Sequence, residues 1–307
     1  MFVHAISTKT SIEMEKNEKM MEGIFSSYQK DAGVLVDDVI NYRIIENNTN
    51  TADFLANIYV EHGFLERAQS LFDRMPSWEL ISWNSLIAQY AKSGEGLEAL
   101  VCFQQMQQEG ISPDAVTLVC VLKACGNTRA VNKGQEIYAK IVKEGLLESN
   151  RIVGNALIDM YVKCGILEKA QEVFEDLPVQ DVVSWTTLIA GYAQFGYGQE
   201  ALNCYEQMRL KGISPNSVTF SCVLKACGIV KAAEKGHEIH AKIIKDGLLT
   251  KDIVLGNALV DMYTKCGNLL KAQEVFDILP KRDVVSWNAL IAGYAQYGYC
   301  NEVFQCF

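Results

Sequence analysis

Proline is scarce, with five in 307 residues, so long stretches are free of the residue that breaks helices. No apolar run reaches the roughly 18–20 residues that span a bilayer, and no membrane partner is expected. Basic residues are outnumbered: 28 Lys and Arg face 37 Asp and Glu, a formal charge of −9. That balance excludes a uniformly basic nucleic-acid binder, because phosphate contacts drive such affinity. Any anion-binding face must concentrate its positive charge locally. Although there are ten cysteines, no C-x-x-C occurs, so the spacing of common zinc sites is missing. No catalytic constellation stands out, and the reading is of a non-enzyme with no cofactor and no metal. Residues 1–12 carry Ser, Thr, Lys and His and no acid, as organellar transit peptides do. Glu13, Glu15 and Glu18 follow at once and no arginine precedes Arg43, so this segment stays unassigned.

What the chain does have is internal repetition. Trp83, Trp185 and Trp287 lie 102 residues apart in matching Ile/Val-Ser-Trp-Asn/Thr settings. VLKACG recurs at 121–126 and 223–228, and GNALIDMYVKCG at 154–165 returns as GNALVDMYTKCG at 256–267. A weaker copy, AQSLFDRMP at 68–76, echoes AQEVFEDLP at 170–178. Each long unit divides into three. In 182–216, Trp185, Leu188, Ile189, Tyr192 and Ala193 follow the spacing of an amphipathic helix. Gly196 and Gly198 interrupt it, and Ala201, Cys204, Tyr205 and Met208 form a second stripe that ends at Gly212 and Pro215. That segment is a helical hairpin of 35 residues; 217–252 gives one of 36 and 253–283 one of 31. A hairpin this small cannot bury both of its faces alone, and stacking on neighbours can. The expected fold is therefore all-α: a right-handed α-solenoid of helix-turn-helix repeats with a concave inner surface.

A second stripe sits beside the core stripe of each first helix. Val183 and Thr186 are three apart and share a face, as do Ile81 and Asn84, Ile152 and Asn155, Val254 and Asn257, and Val285 and Asn288. One aliphatic and one small polar side chain, repeated every hairpin, form a ladder. The aliphatic residue can pack on a base face, and Asn or Thr can hydrogen-bond a base edge. Single-stranded RNA offers both, and helical repeats can read about one base each with two or three side chains.

Hairpins of 35, 36 and 31 residues, with VVSWTTLIAGYAQFGYGQEALNCYEQMRLKGISPN as one copy, resemble the P, L and S motifs of plant-type pentatricopeptide repeat proteins, the PLS subclass. The resemblance divides the chain into a degenerate L-type repeat at 13–48, S-type at 49–79, P-type at 80–114, L-type at 115–150, S-type at 151–181, P-type at 182–216, L-type at 217–252, S-type at 253–283 and a truncated P-type at 284–307. The tetratricopeptide hairpin is similar in shape but has a 34-residue period and a different signature. In this family the fifth and last residues of a P or S motif select the base. The resemblance therefore implies the pairs Asn84 with Asp114, Asn155 with Asp181 and Asn257 with Asp283 for a pyrimidine, usually uridine, and Thr186 with Asn216 for adenine. Asn288 would add another pyrimidine. Val119/Asn150 and Ser221/Asp252, in L motifs, receive no assignment, and Asp53/Glu79 departs from the pattern. RNA would run with its 5′ side toward the N-terminus. The second-position residues Ile81, Ile152, Val183, Val254 and Val285 would pack on bases.

Plainer roles compete with these. Asp and Asn are preferred N-caps, and each last-position residue stands immediately before a first helix, so capping and base selection both remain open there. The tryptophans and the repeating cysteines read as core. His237 and His240, replaced by Gln135 and Tyr138 in the preceding copy, read as structural. Family members that edit RNA can carry a C-terminal deaminase with H-x-E and P-C-x-x-C motifs; neither motif is present. The resemblance implies a site-recognition factor in organellar RNA processing or modification, such as C-to-U editing, in a mitochondrion or chloroplast. Its partners would be single-stranded RNA and a deaminase or accessory protein that supplies catalysis. The alternative is a protein-protein interaction scaffold, which the acidic charge favours. Lysines such as Lys92, Lys123 and Lys225 on the concave side would support RNA, and an acidic groove would not.

Overall fold

A computed structural model describes residues 59–60, 64–74, 78–249 and 251–305. The repeat expected at 13–48, the segment 1–12, most of 49–79 including Asp53, and Cys306 lie outside these residues. Every described element is helical: α1 (Leu65–Arg74), α2 (Leu80–Ser93), α3 (Gly96–Gln108), α4 (Ala115–Thr128), α5 (Val131–Lys143), α6 (Leu146–Ser149), α7 (Arg151–Lys163), α8 (Leu167–Asp176), α9 (Val182–Gln194), α10 (Gly198–Leu210), α11 (Ser217–Val230), α12 (Ala233–Lys245), α13 (Ile253–Lys265), α14 (Leu269–Ile278), α15 (Val284–Gln296) and α16 (Cys300–Gln305). The chain forms two compact units, Met1–Leu86 and Ile87–Phe307. In the first, the Phe72 ring stacks on Trp78 at 3.9 Å and lies 5.1 Å from Trp83.

The second unit is an α-solenoid built by one rule applied repeatedly, and α9 shows it. Asp181 precedes the helix in an extended conformation, and its Oδ1 accepts the backbone N–H groups of Val183 and Ser184, each at 3.0 Å. These are two of the donors that a helix start leaves without partners. Trp185, Leu188 and Ile189 are buried. After Phe195 the chain turns at Gly196, whose φ of +86° lies in the left-handed region that a side chain resists. At Gly198 a Cβ would come 3.0 Å from the Ala226 carbonyl oxygen and 2.7 Å from Val230 Cγ1, so glycine there lets the start of α10 sit against the end of α11. Ala201, Cys204, Tyr205 and Met208 complete the buried face of α10.

First helices contact first helices in an unbroken series: α4 with α7, α7 with α9, α9 with α11, α11 with α13 and α13 with α15. Second helices pack in the notch between their own first helix and the next, as α10 does between α9 and α11. One side of the row of first helices is therefore covered and the other is open. The tryptophans sit under the covered side. Trp185 meets Phe174 edge-on at 4.5 Å and Trp287 meets Phe276 at 4.6 Å, joining the second helix of one hairpin to the first helix of the next. Trp83 and Trp185 are buried, whereas Trp287 is 36% exposed.

The cysteines Cys102, Cys125, Cys204 and Cys227 are buried, and all described cysteines are free thiols. Burial pushes the thiols of Cys125 and Cys227 up to about 12, which leaves them protonated and inert as packing groups. His240 packs its Nδ1 at 2.9 Å from the Tyr263 hydroxyl, between α12 and α13, where the preceding copy has the Tyr138–Tyr161 ring pair.

Two substitutions test this account. Trp185→Ala should cost about 3–5 kcal/mol in chemical denaturation, and Trp287→Ala no more than about half as much. Equal losses would mean that burial between hairpins is not what the indole contributes. Asp181→Ala should cost about 1 kcal/mol through its lost cap, with most of it restored by Asp181→Ser. A neutral Asp181→Ala would remove capping from the explanation of that position.

Candidate nucleic-acid interface

The open side of the first-helix row is built from the second, fifth, sixth, ninth and thirteenth residues of each repeat. Across α11, α13 and α15 these line a depression of about 500 Å³ that includes Ser221, Lys225, Val254, Asn257, Val285 and Asn288. A helix places residues three and four apart on one face, so Val254, Asn257 and Asp261 descend α13 in order, with Lys265 one further turn along. The 102-residue period sets Lys123, Ile152, Asn155, Asp159 and Lys163 at the corresponding places on α4 and α7.

The second-position aliphatics are conspicuous because they are not buried. Ile152 is 63% exposed, Val183 51%, Val254 57% and Val285 59%. Ile81, on α2, is exposed as well. Val116 and Val218 occupy the same register in the L-type copies and are equally exposed. Sequence reasoning left these two out because base assignment in L motifs was set aside, although the Val-Thr pattern after the cap was there to be read. Exposed apolar side chains also occur on the second helices, at Leu97, Val101, Leu210 and Leu270; what distinguishes this row is its repetition at one register, which makes it a candidate binding face.

The fifth-position residues are not all equally open. Asn288 is exposed and Asn84 and Asn155 are half-buried, while Thr186 and Asn257 are buried. Their polar atoms engage the last-position residue of their own repeat and the start of the next. Asn257 Nδ2 donates to Asp283 Oδ1 at 3.1 Å. Asn155 Nδ2 lies 3.4 Å from Asp181 Oδ1, and the Arg151 guanidinium stands 3.7 Å from Asp181 Oδ2. Thr186 Oγ1 lies 2.7 Å from Thr219 Oγ1, and Thr219 in turn bonds Asn216. The structure thus brings fifth and last positions into direct contact in two repeats, and joins Thr186 to Asn216 through Thr219 in a third.

From Asp114 onward, each last-position residue also caps a helix. Asp114, Asn216 and Asp283 form reciprocal capping boxes with Thr117, Thr219 and Ser286. Asp181 caps α9, and Asn150 and Asp252 accept from Ile152 and Val254 respectively. The backbone N–H of Ser286, above all, holds the Asp283 carboxyl below the usual carboxylate range, and the Asn257 amide adds to it. The group is ionised at neutral pH and can only accept.

Charge on this face differs from that of the whole chain. At the ninth and thirteenth positions, α4 through α15 place Lys123, Lys163, Lys225 and Lys265 against Asp159 and Asp261. Lys163 pairs with Asp159 at 2.8 Å and Lys265 with Asp261 at 2.7 Å. Lys123 and Lys225 are exposed and enter no ion pair among the described residues. The second helices carry most of the acid, much of it in exposed pairs such as Lys169–Glu172 and Lys271–Glu274. Among the described residues no group of three or more His, Cys, Asp or Glu side chains is placed to hold a metal ion, and no helix is long and apolar enough to cross a membrane.

Comparison with known proteins places these features in a family. The profile of the PPR repeat family matches residues 79–127 and 180–228, and that of the PPR repeat matches 54–80, 155–182, 257–284 and 285–307. A chloroplastic pentatricopeptide repeat-containing protein of Arabidopsis thaliana is 35% identical over 271 residues, 88% of this chain and 44% of the relative. A putative mitochondrial one from the same plant is 39% identical over 243 residues, 79% of this chain and 38% of the relative. The chain thus spans less than half the length of these relatives. Among solved structures, the crystal structure of the pentatricopeptide repeat protein PPR10 in complex with an 18-nt psaJ RNA element superposes with a TM-score of 0.71, at 17% identity, over 90% of this chain and 43% of that one. The crystal structure of the pentatricopeptide repeat protein PPR10 from maize superposes with a TM-score of 0.57 at 20% identity over 85% of this chain and 43% of that one. Repeat profiles along the sequence, relatives above one-third identity and the shared solenoid agree, and the chain belongs to the pentatricopeptide repeat family.

Proposed function

We propose that this chain binds single-stranded RNA sequence-specifically along the open side of its first helices, about one base per repeat. The observation that carries the reading is the ladder of exposed Ile and Val side chains, each beside a small polar residue, flanked by unpaired lysines on a chain of net negative charge. Apolar side chains pack on base faces, fifth-position Asn and Thr with last-position Asp and Asn address base edges, and Lys123 and Lys225 meet phosphates. Asn84/Asp114, Asn155/Asp181 and Asn257/Asp283 each take a pyrimidine, Thr186/Asn216 takes adenine, and Ile81, Ile152, Val183, Val254 and Val285 pack on the bases. With L-type repeats unassigned, the site is pyrimidine, any, pyrimidine, adenine, any, pyrimidine, read 5′ to 3′ along the repeats, with Asn288 adding a further pyrimidine.

The alternation of repeat lengths supports membership of the PLS subclass. In that setting the chain acts as a recognition factor in organellar RNA processing, with C-to-U editing as the leading role and catalysis supplied by another domain or protein. The chloroplastic and mitochondrial relatives support an organellar location. Against a protein-binding scaffold stand Lys123 and Lys225, which enter no ion pair among the described residues while Lys163 and Lys265 are paired with Asp159 and Asp261.

Fluorescence anisotropy with short RNAs tests the reading. The RNA of the proposed register should bind more tightly than permuted controls and matched DNA, and Thr186→Asn should move the preference at that base from adenine toward a pyrimidine. The Lys123→Ala/Lys225→Ala double variant should weaken all sequences alike and flatten the salt dependence by about 0.7 in log–log slope per lysine. Absence of binding at low salt, or binding indifferent to permutation, would turn the assignment toward a protein partner.

A further inference from the structure

The base-reading proposal leaves a question of proton direction, because Thr and Asn can each donate or accept. The buried hydroxyl at the third position of the following repeat answers it. Resting on that reading, we propose that Thr219 and Ser286 are specificity-determining positioning residues: each consumes one hydrogen-bonding capacity of the fifth-position side chain before it, and so fixes whether the base meets a donor or an acceptor.

The proton count closes in the Thr186 repeat. Asn216 Oδ1 accepts the Thr219 backbone N–H at 2.9 Å, which fixes the orientation of the Asn216 amide. An amide oxygen cannot donate, so the 2.9 Å contact between Thr219 Oγ1 and Asn216 Oδ1 uses the one proton on Thr219. The Asn216 backbone N–H donates to Thr219 Oγ1 at 3.2 Å. Thr219 Oγ1 can then only accept from Thr186 Oγ1, 2.7 Å away. Thr186 has spent its only proton and has lone pairs left. Both hydroxyls are buried, Thr219 at 0% and Thr186 at 7% exposure, so water does not readily substitute in this chain of bonds. Thr186 therefore presents an acceptor, which suits the exocyclic amine of adenine and opposes a 6-oxo purine.

In the Asn257 repeat the result is opposite. Asp283 Oδ1 already accepts the Ser286 backbone N–H at 2.9 Å and can take only a donor from Asn257, which sets Nδ2 toward it at 3.1 Å. The Asn257 oxygen then faces Ser286 Oγ at 2.6 Å; Asp283 Oδ1, 3.0 Å from the same hydroxyl, already holds two N–H donors, so the one Ser286 proton goes to Asn257. With its oxygen occupied, Asn257 retains a free N–H and presents a donor, which suits a pyrimidine carbonyl. The Asn155 repeat provides the contrast. There Ser184 Oγ donates to the Asp181 backbone oxygen at 2.9 Å, and Asn155, whose Nδ2 lies 3.4 Å from Asp181 Oδ1, keeps a buried oxygen without a partner. In the L-type pairs no hydroxyl is available, because Val153 and Leu255 hold the third position.

The test compares RNAs that carry adenine or hypoxanthine at the base assigned to Thr186. Wild-type protein should favour adenine about tenfold, the worth of one well-made hydrogen bond. Thr219→Val frees the Thr186 proton to serve a 6-oxo group, and the ratio should narrow to about twofold while discrimination at the other bases persists. Thr219→Ser should keep the wild-type ratio. A wild-type ratio in Thr219→Val, or a lost ratio in Thr219→Ser, overturns the proposal. Absence of adenine preference in the wild type would sink base reading at Thr186 itself, a distinct result. Ser286→Ala gives an independent reading should Thr219→Val fold poorly by circular dichroism. With its oxygen released, Asn257 offers an acceptor beside its N–H and should lose its preference for uridine over cytosine, and an unchanged preference in the folded variant overturns the proposal equally.

Discussion

The structure depends on one constraint: a hairpin of two short helices has more apolar surface than it can bury. Each first helix must be covered by its own second helix and by neighbouring hairpins, and the Trp185–Phe174 contact is this demand met across a repeat boundary. Once first helices touch first helices and second helices fill the outer notch, the side of the row opposite the second helices is left without a cover. The residues there are free to vary without loss of core. Ile and Val nonetheless occupy the second position in each repeat from 80 onward, half-exposed or more, and the regularity of that placement, rather than exposure as such, sets them apart from Leu97, Leu210 and Leu270 on the second helices. β-Branched residues are middling helix formers, and exposing them gains nothing from burial.

Charge follows the same division. The chain as a whole repels phosphate, with its formal charge of −9, but the acid is concentrated on the second helices, where pairs such as Lys169–Glu172 contribute little to stability. On the first-helix face Lys123 and Lys225 stand without carboxylate partners among the described residues. At physiological salt, exposed charges more than about 8 Å apart are largely screened from one another. The acidic outer layer therefore does not cancel the lysines on the groove side. The tension between an acidic composition and an RNA-binding face is one of averages rather than of local fields.

Much of this was legible in the sequence. The period, the hairpins and the core stripe are carried by Trp, Leu and Ile spacing, and the helix starts by Asp and Asn before each first helix. The fifth-position stripe could be read as a face, but its burial could not. Thr186 and Asn257 are covered because the start of the next first helix closes over them, a contact between residues more than twenty-five apart in the chain that helical periodicity does not encode. The hydroxyls that close over them were visible as Thr117, Ser184, Thr219 and Ser286, each three residues after an Asp or Asn. Local sequence explains that spacing fully as a capping motif, and nothing in one repeat indicates a second partner across the interface. The Asn155 repeat shows the limit: Ser184 stands where Thr219 and Ser286 stand, yet its hydroxyl turns to the Asp181 backbone.

Capping and base reading were open alternatives at the last position, and the geometry makes them compatible. In Asp283 one carboxylate oxygen, Oδ1, takes the Ser286 N–H and the Asn257 amide, and the same oxygen does the capping in Asp181. The second oxygen of each is not needed by the helix. An Asp at this place can hold the first turn with one atom and address a ligand with the other, as Asn216 can with Oδ1 on the cap and Nδ2 remaining. Alanine would remove both functions, whereas serine can cap but has no second atom to offer. A serine at Asp283 should therefore separate the two roles, retaining the helix start while losing selectivity at the base that Asn257 meets.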